Sequence, residues 1–310
     1  MYSGKTVFVV NPNAGNGATG KEWPRIGKLA GELLGPFETR LTEGPSDATR
    51  ITRENLLRGI DRIICVGGDG TLNEVVNGFF DENGPIRKGA VLGFLPNGTG
   101  CDFCRTMPIP SGIEASLRTI REGYIRTIDL GRIRFRDHQG GAGIRYFHNI
   151  ASFGLGGEVV DRVNRTSKAC GPFITFIWAT LVSLFTYEKK RIRLKVDDLE
   201  ERTVDVFNIA VANGRYHGGG MLVAPDAVTD DGLFHVTVIG AMVLPLVFWH
   251  LPKLYTGKIK KIRQVSMTTG MRVSAHSNQR VLLDIDGEQP GTLPAELEIV
   301  PRALNMIMKA

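Results

Sequence analysis

The chain has few cysteines, no long apolar run and no large excess of either charge, and each shortage removes a class of protein. Four cysteines in 310 residues are too few for a disulfide framework and suit a reducing compartment. Cys65 and Cys170 lie in apolar contexts. Cys101 and Cys104 form a Cys-x-x-Cys, but no second such pair and no close histidine pair completes a zinc site, so neither a redox nor a metal role is assigned to it. The apolar stretch Phe173 to Phe185 falls short of the ~20 residues that a membrane span needs. Met1 to Val10 lacks the charged, apolar and small-residue succession of a signal peptide, so a cytoplasmic location is expected. No Pro, Ser or Gln tract marks long disorder, and there is no internal repeat. Lys plus Arg at 38 against Asp plus Glu at 32 leaves a net charge of +6, which favours anionic partners such as nucleotide phosphates or acidic lipid headgroups. The basic residues cluster only at Lys189 to Arg191 and Lys258 to Arg263, without a nucleic-acid motif, so no nucleic-acid partner is expected.

Glycine, by contrast, is abundant, with 38 residues, and its placement follows a pattern. Up to about residue 125 the chain alternates strand and helix. Strands are expected at Thr6–Val10, Phe37–Leu41, Arg62–Val66 and Ala90–Leu95, with helices at Lys21–Leu34, Ser46–Leu57, Thr71–Phe80 and Ser111–Glu122. Such repetition implies a parallel sheet covered on both faces, whose ligands bind beyond the carboxyl ends of the strands. From Ile128 onward short strands separated by Gly, Asp and Asn turns indicate a mostly β domain. Helices interrupt it at Gly171–Tyr187 and Leu244–Leu254. At over 300 residues, two domains are the default expectation. Both late helices are rich in aromatic residues and followed by cations, as in a peripheral membrane helix, although core packing would use the same residues.

The most informative string is Gly67-Gly68-Asp69-Gly70-Thr71-Leu72-Asn73-Glu74, directly after the apolar run Ile63 to Val66. The glycines are expected to turn the backbone through positive φ and to expose amides to a phosphate at the helix N-terminus. A carboxylate among them would repel phosphate unless Asp69 holds Mg²⁺, holds a substrate hydroxyl, or works through water. Gly15 to Gly20 fits the Rossmann spacing and nearly a Walker loop. Glu22 stands where the latter needs Ser or Thr, and Asn11-Pro12-Asn13 separates the glycines from the strand. What remains is an amide-rich loop suited to a nucleotide phosphate. Pro96 to Gly100 would bring amides and the Thr99 hydroxyl beside the Asp69 turn. Asp226 to Leu233 is a carboxylate-rich turn whose Asp231 and main-chain carbonyls could hold Mg²⁺, or simply a solvated Asp-Gly hairpin. Asp284, Asp286 and Glu288 alternate at a strand end and are expected on one face, where crowded carboxylates suit a general base.

Asn11 to Gly15, Gly67 to Glu74, Gly98-Thr99-Gly100-Cys101-Asp102-Phe103 and Asp286-Gly287-Glu288 occur in the order seen in the diacylglycerol, ceramide and sphingoid-base lipid kinases, and the chain resembles that family over most of its length. In shorter form the glycine string also resembles NAD kinases and phosphofructokinases. Val9 to Trp23 and Glu74 to Phe80 are most similar to plant-type long-chain base kinases, with bacterial diacylglycerol kinases and YegS-like lipid kinases nearly as close. The resemblance implies an N-terminal three-layer α/β domain of NAD kinase type, residues 1–127 with 297–310 returning to it. It implies a C-terminal β-sandwich, residues 128–296, and a site in the cleft. It implies ATP contacts at Asn11, Pro12, Asn13, Ala14, Gly15, Thr42, Gly67, Gly68, Asp69, Gly70, Thr71, Leu72, Asn73, Glu74 and Thr99. A structural Mg²⁺ would be held by Asp231 with the carbonyls of Val228 and Leu233. The resemblance places the proton acceptor in Asp286-Gly287-Glu288, where Glu288 is expected to fill the role, with Asp286 the close second. Cys101 departs from the Asn common before Asp-Phe in these kinases. The function expected is ATP- and Mg²⁺-dependent phosphorylation of a membrane-lipid hydroxyl, of diacylglycerol or a sphingoid base, by a peripherally attached enzyme. A homodimer is compatible with the sequence. The alternatives are a kinase with a soluble acceptor, such as an NAD kinase, and a non-catalytic nucleotide- or lipid-binding regulator.

Overall fold

The computed structural model describes residues 5–98, 100–166 and 172–309. The chain forms two compact units, residues 1–128 with 302–310 and residues 129–301. In the first unit, β1 (Thr6–Val10), α1 (Ala18–Leu34), β2 (Glu38–Leu41), α2 (Asp47–Leu57), β3 (Arg62–Gly67), α3 (Asp69–Gly78), β4 (Val91–Pro96), α4 (Asp102–Thr106) and α5 (Ile113–Glu122) follow one another. Strand β1 pairs in parallel with β2 and β3, and β3 with β4. Asn305 and Met306 add a further parallel strand beside Val91 and Leu92 of β4. Every residue of β3 and four of the five in β1 are buried, as expected of strands covered on both faces. Phe8, Val10, Ile64 and Val66 pack on one side against Ile26 and Ala30 of α1 and Leu117 and Ile120 of α5. All three glycine loops therefore leave from the carboxyl ends of neighbouring strands.

The second unit is built mainly of antiparallel strands. Two strands cross the unit boundary, β5 (Tyr124–Asp137) and the C-terminal β14 (Gly291–Met308). Between them come β6 (Ala142–Phe147), β7 (Ile150–Gly154), β8 (Lys190–Val196), β9 (Arg202–Ala212), β10 (Phe234–Gly240), β11 (Val265–Gly270), β12 (Arg272–His276) and β13 (Leu283–Ile285). The pairing runs β11-β10-β9-β8-β12-β14, with β7 joining β9 to β13 and β5 pairing β6. Ile133, Phe147, Phe153, Ile192, Ile209, Phe234, Val273, Leu283 and Leu297 are among its core residues. Among the described residues, three α-helices accompany the strands, α6 (Leu155–Arg165), α7 (Pro172–Thr186) and α8 (Leu244–Tyr255). Strands β6 and β7 are separated at His148-Asn149, where both amides turn towards Asp286. None of the helices among the described residues is long and apolar enough to cross a membrane.

Candidate active site

In the first unit the three loops are tied to one another by their main chains. The Asn11 amide donates to the Val66 carbonyl at 3.0 Å and the Asn97 amide to the Gly67 carbonyl at 2.8 Å, so each loop continues the ladder of the sheet. Asn11 Nδ2 donates to Thr71 Oγ1 at 2.9 Å, while Asn11 Oδ1 accepts from the Asn13 amide at 3.0 Å. One side chain thus holds its own loop and the first turn of α3. The expected positive φ at Gly67, Gly68 and Gly70 is not found, since none of the three is left-handed. Gly67, and Gly98 on the facing loop, are glycine for space. A Cβ on Gly67 would lie 2.6 Å from Thr71 Oγ1, and a Cβ on Gly98 only 2.5 Å from the Gly68 Cα. The two loops touch backbone to backbone, which any side chain would prevent. Gly15 does need its left-handed φ of 60°, and its Cα faces the Asn97 carbonyl.

Helix α3 starts at Asp69, earlier than expected, and has no side-chain cap. Its first amides suit an anion in the way a helix N-terminus does, whereas at the start of α1 the Ala18, Thr19 and Gly20 amides donate to the carbonyls of Gly15, Ala14 and Pro12. Asp69 is the first helical residue, a position where the helix dipole favours a carboxylate. Its Oδ2 accepts from the Asp102 amide at 3.3 Å, beside the space left by Gly100, where a Cβ would lie 3.2 Å away. A half-buried carboxylate next to open glycine backbone suits a hard cation or its waters. Thr42 is buried, and its amide donates to the Val10 carbonyl at 2.9 Å. Pro12, Asn13 and Ala14 lie on the surface-facing loop. Thr99 is outside the described residues.

The last part of the string supports the site without facing it. Leu72 is fully buried in the core, and Asn73 is equally buried and accepts from Asn77 Nδ2 at 3.1 Å. The Glu74 carboxylate accepts from the Ser46 amide at 2.8 Å and the Ala48 amide at 3.1 Å, capping α2 from a distance. At Gly78 a Cβ would meet Thr52 at 2.5 Å. These residues fix α3 against α2, and any nucleotide contact by Leu72 to Glu74 would be through main chain.

Cys101 adopts φ 47° at the start of α4, a left-handed conformation that Asn tolerates better than most residues. A hydrogen bond from Cys104 lowers the Cys101 thiol below its ordinary value, and the same bond together with burial raises Cys104. Cys65, fully buried, is pushed up by desolvation. At neutral pH Cys101 therefore carries the larger thiolate fraction. Limited iodoacetamide is expected to alkylate Cys101 well ahead of Cys104 and Cys65, and to block the site by adding bulk beside Asp69. Peptide mapping against residual activity checks this, and preferential labelling of Cys104 would contradict it.

The acids of the second unit do not share one face. Strand β13 ends at Ile285, and Asp286 (φ 50°) and Gly287 (φ 89°) form a two-residue turn. It is closed by Ile285 N–H to the Glu288 carbonyl at 2.8 Å and Glu288 N–H to the Ile285 carbonyl at 3.0 Å. Both positive φ values match the hairpin turn that an Asp-Gly pair favours, and this breaks the assumed alternation. Asp286 is buried, and its oxygens accept from the amides of His148, Asn149 and Ile150 at 3.0, 3.2 and 2.8 Å, with His148 Nδ1 at 2.9 Å. Asp284 is also buried. It accepts from the Gly287 amide at 2.9 Å and has His217 Nε2 at 3.1 Å and Ser152 Oγ at 3.5 Å. Glu288 differs from both: its carboxylate is about a third exposed and pairs with Arg145. Nothing in the sequence points to Arg145, His148 or His217 as partners, because each is more than sixty residues from the acid it meets.

Asp231 lies in the turn before β10, with Oδ1 accepting from the Leu233 amide at 3.0 Å and His235 Nε2 at 3.5 Å from Oδ2. The adjoining Gly232 amide donates to the buried Asp129 at 2.7 Å, which anchors the turn. No group of three or more metal-ligating side chains is found among the described residues. One accessible carboxylate with the carbonyls of the same turn is a hard-oxygen set compatible with an ion that keeps several waters, as Mg²⁺ does.

Residues 5–133 match the diacylglycerol kinase catalytic domain, and residues 149–308 match the YegS C-terminal NAD kinase beta sandwich-like domain. A diacylglycerol kinase of Mycobacterium tuberculosis is 29% identical over 308 residues, covering 98% of this chain and 95% of the relative. One from Bacillus subtilis is 27% identical over 303 residues, covering 97% and 95%. A probable lipid kinase, YegS-like, of Cronobacter sakazakii is 30% identical over 225 residues, 71% of each chain. Among solved structures, a diacylglycerol kinase from Bacillus anthracis str. Sterne superposes with a TM-score of 0.72 at 20% identity, covering 100% of this chain and 98% of that one. Yeast NADH kinase complexed with NADH gives 0.54 at 10%, covering 100% and 85%; these two show the fold alone. The two domain matches and the relatives together define a phosphotransferase of the lipid-kinase class. The chain belongs to the diacylglycerol kinase and YegS-like family and is a lipid kinase.

Proposed function

We propose that this lipid kinase transfers the γ-phosphoryl group of ATP, with Mg²⁺, to the hydroxyl of diacylglycerol at the cytoplasmic surface of a membrane. The observation that carries the reading is the packing of three glycine loops around Thr71 and the Asp69 carboxylate, within a chain whose diacylglycerol kinase relatives span nearly its full length. The first amides of α3 bind the phosphates, and Asn11 holds Thr71 and its loop in register. Asp69 would hold Mg²⁺ or its waters, and Asp231 with the carbonyls of Val228 and Leu233 would hold a second, structural ion. When bound, the ion near Asp69 supplies neutralisation of phosphate charge, which is most of what phosphoryl transfer asks of its enzyme.

Glu288 takes the hydroxyl proton. Arg145 fixes its rotamer, and its exposure lets a lipid hydroxyl approach. Asp286 is a positioning residue, because three amides and an imidazole edge already occupy its oxygens. The test is transfer from γ-labelled ATP across diacylglycerol, ceramide and a sphingoid base in mixed micelles, with and without EDTA. Phosphatidic acid as the main product, lost with EDTA, is expected; phosphorylation of the sphingoid base alone would move the acceptor, and no lipid product would overturn the reading.

A further inference from the structure

Helices α7 and α8 are apolar on more faces than the fold covers. Leu184 of α7 and Leu244, Leu246, Val247 and Leu254 of α8 meet Ile259 and Ile262 in a small satellite core. Their outer sides carry Trp178 (49% exposed), Phe185 (65%) and Trp249 (74%), with Leu181, Phe248 and Tyr255 also exposed. The rings of Phe185 and Phe248 lie 6.0 Å apart, so the two helices present one continuous aromatic face. No residue of α8 is buried, although helices with this apolar content ordinarily sit in a core or a membrane. Patches of this kind mark an interaction surface.

Charge indicates what covers it. Between Asp231 and Asp284 the chain contains no Asp or Glu and seven Lys or Arg, and between Asp161 and Glu188 it again contains no acid. Ile259 and Ile262 anchor the segment after α8, which leaves Lys258, Lys261 and Arg263 exposed next to the aromatic face. Lys260 is paired with Asp226, and Arg191, from the other basic cluster, is paired with Asp205. An aromatic face bordered by Lys258, Lys261 and Arg263, where cations outnumber the carboxylates Asp226 and Glu188, complements an anionic bilayer surface, where aromatic rings insert among headgroups and cations meet phosphates. A second copy of the chain would instead oppose like charges across the contact.

We infer that the α7/α8 face, with Lys258, Lys261 and Arg263, is the surface by which the enzyme seats on bilayers containing anionic phospholipid. This rests on the lipid-kinase reading and names the partner surface for it. The test uses the full chain with vesicles of phosphatidylcholine alone or mixed with phosphatidylglycerol. Phe248→Ser with Trp249→Ser should weaken vesicle binding about tenfold or more and lower activity on vesicle-borne diacylglycerol, while activity in detergent micelles stays as in wild type. Lys258→Gln, Lys261→Gln and Arg263→Gln together should remove most of the preference for phosphatidylglycerol, again about tenfold or more. Wild-type vesicle binding by both variants would overturn the inference. So would a wild-type dimer in sedimentation that the Phe248 and Trp249 changes convert to monomer without weakening vesicle binding. Failure of the kinase reading is separate, because it appears as absent lipid phosphorylation by the wild-type protein in micelles.

Discussion

Asp69→Asn is expected to lower kcat for lipid phosphorylation about 10³-fold or more while leaving the melting temperature close to that of wild type. The exchange removes one charge and almost no volume. Asp69 sits half-buried at the first position of α3, with the Asp102 amide on Oδ2, and Asn can still accept that bond. What it cannot do is present an anion towards the phosphates and their cation, an interaction worth several kcal/mol of transition-state stabilisation. Activity with γ-labelled ATP, read beside a thermal melt, checks both halves. Turnover near wild type would remove Asp69 from the chemistry.

The second large effect separates two neighbouring acids. Asp286→Asn should destabilise the protein by about 3 kcal/mol or more, because three charge-assisted bonds from the His148, Asn149 and Ile150 amides lose their anion and an amide NH₂ is turned towards buried N–H donors. Glu288→Gln removes only one half-exposed ion pair with Arg145 and should cost little stability, yet it should lower kcat about 10²-fold if Glu288 is the proton acceptor. Urea unfolding of both variants with kcat at saturating lipid gives the result. A stable, inactive Asp286→Asn beside a fully active Glu288→Gln would reverse the assignment.

Much of the first unit was legible because its strands are continuous apolar runs and its helices are periodic. The turn after β3 could be placed from eight residues alone. The reason for its glycines could not, since the contacts that demand them, Gly68 against Gly98 and Gly67 against Thr71, need the neighbouring loop to be present. In the second unit the fluctuating strand lengths were readable and three features were not. Helix α6 begins with Leu155-Gly156-Gly157, a poor start by propensity. Its glycines are required by tertiary contact, since a Cβ on Gly157 would lie 2.4 Å from the Leu282 carbonyl. Strand β11, Val265–Gly270, is a largely polar strand paired to β10 and carries no clear alternation of apolar and polar residues. The break at His148-Asn149 is dictated by Asp286, well over a hundred residues further on. The period of two assumed for Asp284, Asp286 and Glu288 failed for a local reason that the Asp-Gly pair itself announces.

The same fold scaffolds phosphorylation of a soluble dinucleotide in yeast NADH kinase, so the claim that most needs a direct test is the identity of the acceptor. The measurement is a competition in which γ-labelled ATP and Mg²⁺ are offered to the protein with diacylglycerol in mixed micelles and NADH in the same tube, and the label is followed into lipid and aqueous products. Label in phosphatidic acid, with none in dinucleotide, is the predicted result; label in NADPH with an unlabelled lipid phase would contradict it.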